Sequence, residues 1–201
     1  MITIVDYKMG NVGSIANMLK KIGRESLITS QVSEIEKASM IILPGVGAFD
    51  RAMENLNSLN LIEVLNRKVL TEKIPVLGIC LGMQLMANDS EEGKLPGLKW
   101  FNAKVVRFKG DNLKVPHMGW NTIKIVKANC IFNDFYSEPK FYFVHSYHIV
   151  CRNSEDMLAT TKYGNEFTSA IAKDNITGMQ FHPEKSHKYG MKLLSNWVNA
   201  V

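Results

Sequence analysis

Val76-Leu77-Gly78-Ile79-Cys80-Leu81-Gly82-Met83-Gln84 is the stretch on which the reading of this chain turns. Four apolar or small residues suited to a buried strand run straight into a Gly-x-Cys-x-Gly pattern, and a helix is expected from Leu81 to Asn88. A strand that turns abruptly into a helix presents the side chain at the turn at the end of a sheet, where open α/β sheets take their ligands. The flanking glycines let neighbouring chain pass without a Cβ in the way. A cysteine standing alone reads as a small buried hydrophobe. At this turn Cys80 reads as a nucleophile, because a helix N-terminus lowers a thiol from its usual pKa of about 8.5. The N–H of Leu81 is then available to an oxyanion.

The sequence on the N-terminal side repeats the same grammar. Ile2–Asp6, Glu25–Thr29 and Ser39–Leu43 read as strands, and Asn11–Ile22, Arg51–Leu56 and Leu61–Leu70 as helices. Short continuous apolar runs separated by helices are the mark of a parallel sheet covered on both faces. After Cys80 the pattern shifts towards alternation at Trp100–Phe108 and Trp120–Val126, as in an antiparallel flap or second sheet region. Phe141–Val144, Met157–Thr161, Phe167–Ala172 and Ile176–Phe181 continue the strands, and Lys188–Val198 reads as a closing amphipathic helix. The expected fold is α/β: a mostly parallel central sheet flanked by helices on both faces, with an additional antiparallel strand region. No repeat or linker interrupts it, so residues 1–201 are expected to form one domain.

Phe181-His182-Pro183-Glu184 closes the last expected strand. Residues two apart in extended chain point to one side, so His182 and Glu184 can meet. Alone, the motif reads as a turn with a surface ion pair. With Cys80 it completes a set: an imidazole that takes and returns a proton, and a carboxylate that fixes its tautomer.

Composition narrows the class. The chain has 201 residues, 46% of them hydrophobic, and a net charge of +5 without any basic run. Nucleic-acid binding is therefore not expected. The three cysteines, Cys80, Cys130 and Cys151, lack disulfide or zinc spacing, so Cys130 and Cys151 read as structural and no metal or cofactor is expected. Met1–Asp6 is no signal peptide, and the apolar run Ile74–Met83 is too short for a bilayer. A soluble cytoplasmic protein that binds no membrane is the expectation. His187 reads as solvated and His148 as ambiguous.

Gly78 to Gln84, taken with His182-Pro183-Glu184, resembles the class I, triad-type glutamine amidotransferases, and more closely the glutaminase subunits of imidazole glycerol phosphate synthase. The likeness spans the chain, through Asp6–Asn11, Leu43–Phe49, Pro116–Asn121, Phe143–Tyr147 and Gln180–Ser186. It implies that Cys80 attacks the amide carbon of L-glutamine, forming a glutamyl thioester, that His182 shuttles the proton and that Glu184 orients His182. It further implies that Gly45, Val46, Gly47 and Leu81 form the oxyanion hole, after a peptide rotation triggered by the partner. Without the likeness, Pro44–Gly47 would read as an ordinary tight turn. Gln84, His145, Ser146 and Tyr147 would hold the substrate, and Asn11, Trp120, Tyr142 and Lys185 would face the partner. Trp120 and Tyr142 read equally well as core aromatics. The implied partner is a (β/α)8-barrel cyclase subunit in a heterodimer. Lys8, which stands where the family commonly has glycine, and Asn102-Ala103-Lys104 depart from the usual pattern, and Tyr147–Cys151 and His187–Lys192 resemble a branch thought to feed a sugar amidotransferase of surface-glycan synthesis. An idle regulatory scaffold is disfavoured by the intact Cys80, His182 and Glu184. A cysteine peptidase on the same fold is disfavoured by Gln84 and His145-Ser146-Tyr147.

Overall fold

The computed structural model describes residues 1–110 and 112–200. Strand β1 (Ile2–Val5) leads through α1 (Val12–Lys21) to β2 (Ser26–Thr29), and through α2 (Val32–Ile35) to β3 (Met40–Leu43). Helices α3 (Phe49–Ser58) and α4 (Leu61–Asn66) follow, and a π-helical turn at Arg67–Thr71 carries the chain to β4 (Val76–Ile79) and the single-turn α5 (Leu81–Gln84). Then come β5 (Asp89–Ser90), β6 (Ala103–Arg107), β7 (His117–Thr122), β8 (Lys124–Ile125), β9 (Lys140–His145) and β10 (Tyr147–Cys151). The chain ends with β11 (Met157–Tyr163), β12 (Asn165–Lys173), β13 (Ile176–Met179) and α6 (His187–Asn199).

The main sheet runs β2-β1-β3-β4-β13-β12-β10-β6-β5. Its strands are parallel from β2 to β13, then antiparallel through β12, β10 and β6. β11 and β8 branch from β12, and β7 and β9 make a separate antiparallel ribbon. The parallel strands are apolar on both sides because both faces are covered. Ile41 and Leu43 pack with Phe49, Leu56, Leu61 and Leu65 on one face, whereas Met40 and Ile42 pack with Ile15, Leu19, Leu193 and Trp197 on the other.

Glycines bring the nucleophile turn onto the sheet. Gly78 on β4 pairs with Gly178 on β13. A Cβ at Gly78 would lie 2.9 Å from Met83 Cα, and one at Gly178 would lie 2.5 Å from Met83 Cγ, so α5 rests on a bare patch of two strands. A Cβ on Gly82 would overlap the Leu43 carbonyl.

The helix expected over Leu81–Asn88 stops at Gln84. Its next carbonyls are claimed from elsewhere: Leu98 N–H donates to Leu85 O at 2.7 Å, Trp100 N–H to Met86 O at 2.9 Å and Lys99 N–H to Ala87 O at 3.1 Å. The strand expected from Trp100 starts only at Ala103, after this crossing. Tyr147–Cys151 and the short α2, which gave no clear periodic signal, are additional elements. Among the described residues no helix is long and apolar enough to cross a membrane.

Candidate active site

Cys80 sits at φ 55°, ψ −111°, between β4 and α5, a conformation that L-residues rarely adopt. Despite the strain, Cys80 N–H remains bonded to Met179 O at 2.8 Å, so the turn begins in register with β13. The thiol is buried and lines a pocket of about 370 Å³.

His182 follows β13. Its N–H donates to Tyr142 O at 2.9 Å, and its carbonyl accepts from Ser186 Oγ at 2.6 Å, so β9 and the turn before α6 fix the backbone. His182 Nδ1 lies 2.8 Å from Glu184 Oε1, and both side chains are almost fully buried. Because a carboxylate only accepts, Nδ1 carries a proton and Nε2 is the nitrogen left for Cys80. Burial opposes charging of this ring, but the nearby Cys80 and the hydrogen-bonded Glu184 outweigh it and raise His182 to about 10, while Nε2 itself has no hydrogen-bond partner. Of the three side chains read from sequence as a triad, His182 and Glu184 are hydrogen-bonded, and Cys80 lies near enough to act on the charge of the ring.

The opposite side of Cys80 is arranged differently. The Leu81 N–H donates to the Gly45 carbonyl at 3.3 Å. The Gly45–Val46 peptide therefore turns its oxygen, not its N–H, towards the elbow. Tyr7 Oη donates to Pro44 O at 2.5 Å and anchors the preceding peptide. Burial, with the charge of Cys80 second, pushes the Tyr7 hydroxyl far above its ordinary range, so it stays a donor. Gly47 holds φ 107°, open to glycine and strained for other residues.

Gln84, His145, Ser146 and Tyr147 line the pocket together with Val46, Gly47 and Leu81. Gln84 Nε2 donates to Tyr147 O at 3.0 Å and to Gln180 Oε1 at 2.9 Å, which orients its amide. Both ring nitrogens of His145 are engaged within the protein, with Tyr147 O at 2.7 Å and His117 at 3.0 Å. Its ring therefore shapes the pocket and offers no free donor to a ligand. Glu92, which the sequence reading did not single out, is the one acidic side chain among the described lining residues. Its Oε2 accepts from Phe49 N–H at 2.9 Å, and burial raises its pKa, with Asp50 adding to the effect. Asp50 also accepts from Lys94 and Leu95 N–H at 2.9–3.0 Å, clamping the loop that carries Glu92. Nothing in local spacing marks this residue.

Trp120 is 47% exposed, which removes the core reading for it. Tyr142 is half-buried beside it, with ring centroids 6.4 Å apart. His187 is exposed and stacks on Trp120 at 5.6 Å, and Lys185 Nζ lies 5.7 Å from the Tyr142 ring centroid. Asn11 precedes α1, which packs against the Pro183–Lys185 turn. The residues expected to meet a partner thus adjoin the turn that carries Glu184.

A nucleophile elbow on a parallel sheet, with His and Glu two residues apart after a neighbouring strand, defines a class. The chain belongs to the Glutamine amidotransferase class-I family, whose model matches residues 3–201. Within it the likeness is to the HisH subunits of imidazole glycerol phosphate synthase. The chain is 56% identical to subunit HisH 2 of Methanococcus maripaludis and 46% identical to HisH 2 of Pseudomonas aeruginosa, in each case over 100% of both chains. Its fold matches a chain of PurLQS from Thermotoga maritima with a TM-score of 0.76, at 15% identity and with 99% and 97% of the two chains covered.

Proposed function

We propose that this protein hydrolyses L-glutamine to L-glutamate and ammonia, acting as one cytoplasmic glutamine amidotransferase domain over residues 1–201. In this reading it passes the ammonia to the cyclase subunit of imidazole glycerol phosphate synthase in histidine biosynthesis. The observation that carries the chemistry is the buried Cys80 at a strained turn, facing a pocket, with the hydrogen-bonded His182–Glu184 pair close enough to feel its charge. The full-length identity to HisH subunits supports the pathway.

In the proposed sequence the Cys80 sulfur bonds to the amide carbon while His182 delivers its proton to the departing nitrogen, giving ammonia and a glutamyl thioester. Water then adds to the thioester, His182 takes its proton, and the thiolate leaves to give glutamate. Glu184 keeps His182 in the required tautomer throughout. The developing oxyanion needs donors. Rotation of the Gly45–Val46 peptide would free Leu81 N–H and bring in the Val46 N–H, with Gly47 supplying the backbone freedom. Glu92 would pair with the substrate ammonium. Gln84 and the Ser146–Tyr147 backbone would receive the rest of the amino-acid moiety. Asn11, Trp120, Tyr142 and Lys185 would face the cyclase across the route ammonia takes.

The test is glutamate release from glutamine by the purified protein alone, with a histidine-pathway cyclase subunit and its nucleotide ligand, and with a sugar amidotransferase. Stimulation by the cyclase, lost in Cys80→Ala by roughly 10⁶-fold, is the expected result. Stimulation by the sugar enzyme alone would move the acceptor to glycan synthesis, and release that survives Cys80→Ala would overturn the chemistry.

A further inference from the structure

The triad leaves unused a run of buried polar groups that leads from the surface to its sulfur. Asn121 on β7 donates from Nδ2 to Lys162 O at 3.0 Å and lies 3.1 Å from His117 Nε2. His117 and His145 are directly opposed across β7 and β9, with His117 Nδ1 3.0 Å from His145 Nε2. His145 Nδ1 reaches Tyr147 O at 2.7 Å.

These contacts fix every proton. The Tyr147 carbonyl only accepts, so His145 carries its hydrogen on Nδ1. In a neutral ring the other nitrogen is then a lone pair. His117 must therefore donate from Nδ1, which leaves its Nε2 to accept from Asn121. Burial holds both rings neutral, His117 down to about 4 and His145 down to about 3. Tyr147 O takes its second hydrogen from Gln84, the same amide reaches Gln180, and Gln180 Nε2 lies 3.6 Å from Cys80 Sγ. The run starts on the strand that exposes Met118 and Trp120 and ends on the nucleophile.

An apolar pair would fill this core without the requirement that each buried polar atom be matched. What the histidines add is a fixed Tyr147 carbonyl, and that carbonyl orients the amide of a pocket residue. Resting on the glutaminase reading above, we propose that His117 and His145 are positioning residues for glutamine binding, setting Tyr147 O, Gln84 and Gln180 against the pocket and Cys80.

The experiment is steady-state glutaminase kinetics of the cyclase-stimulated protein, with thermal unfolding as a folding control. Loss of one buried hydrogen bond corresponds to roughly 10-fold in binding, so His145→Ala is expected to raise KM for glutamine by about that factor and to change kcat by less than about threefold. His145→Asn, whose Nδ2 stands where the ring Nδ1 does and can still donate to the Tyr147 carbonyl, restores KM. His117→Phe keeps the ring and raises KM several-fold. Folded variants with unchanged KM, or Asn failing to rescue where Ala is impaired, overturn the proposal. Should the variants not fold, ¹⁵N spectra of the wild-type imidazoles decide: both rings protonated at Nδ1 at neutral pH is expected, and an Nε2–H tautomer on either overturns it. A wild-type protein that releases no glutamate with any partner sinks the glutaminase reading instead, and the spectra still test the hydrogen-bonded run.

Discussion

The two sides of Cys80 differ in readiness. On one side His182 and Glu184 are buried, bonded at 2.8 Å and fastened by three further backbone and hydroxyl contacts. On the other, the Leu81 N–H that should meet an oxyanion is spent on the Gly45 carbonyl. In the proposed mechanism, proton transfer falls to side chains held in place and charge stabilisation to one peptide between glycine-rich neighbours. The first demands permanent geometry. The second offers a place where a partner can govern the rate through a local rotation, selecting between two backbone states.

Attacking the assembled side gives the largest effect expected here. Glu184→Gln preserves shape and removes the carboxylate that sets the His182 tautomer, so kcat should fall by roughly 10³–10⁴-fold, less than for Cys80→Ala. Equal losses measured by glutamate release would deny Glu184 its orienting role. The closed side predicts the next effect. One missing oxyanion donor costs about 10²–10³ in kcat, so the isolated chain should be slower than the cyclase-bound one by that order, and full activity of the chain alone would remove the contrast.

The third effect concerns stability. His117 and His145 have folded values lowered to about 4 and about 3 from 6.5. Below 6.5 the unfolded chain binds more protons than the folded one, so stability is present above 6.5 and lost as pH falls towards 4. The groups facing the pair are His148 and His182, with the Tyr163 and Phe143 rings on His117, and none of these is a carboxylate that would rescue the charge. His182, raised to about 10, acts in the other direction, its contribution present below 6.5 and lost as pH rises through 10. Urea unfolding should therefore lose on the order of a few kcal/mol between pH 7 and pH 4.5, with a shallower slope in His117→Phe. The smallest effect tests the anchor of the closed side. Lys8, next to Tyr7, sits at φ 67° with its N–H on Asp6 Oδ1 at 2.9 Å. Lys8→Gly should stabilise the fold by under about 1 kcal/mol, and a change in partner-free glutaminase activity would show that this turn biases the Gly45 peptide.

How far the sequence was legible follows from the range of each interaction. The elbow and the His182–Glu184 pair are local patterns, and both stand where they were expected. Helix α5 ends four residues early because residues 98–101 take its carbonyls, and nothing within Leu81–Asn88 encodes that. Glu92 is brought to the pocket by Asp50 and Phe49, 42 and 43 residues earlier in the chain. The role of His145 depends on facing His117 across a strand pair 28 residues apart in sequence. Lys8, by contrast, is a departure from the family pattern visible in the sequence itself, and its φ of 67° shows that the position favours glycine.

The Gly45 carbonyl on Leu81 also sorts the reagents that can reach this thiol. An electrophile attacked by simple displacement, such as an alkyl halide built on a glutamine skeleton, develops no negative oxygen in its transition state and has no use for the missing donors. One that must pass through a tetrahedral adduct does. Under the proposed mechanism the chain alone is expected to be open to alkylation and sheltered from acylation, and the ratio of the two labelling rates then gauges which way a single peptide bond is facing.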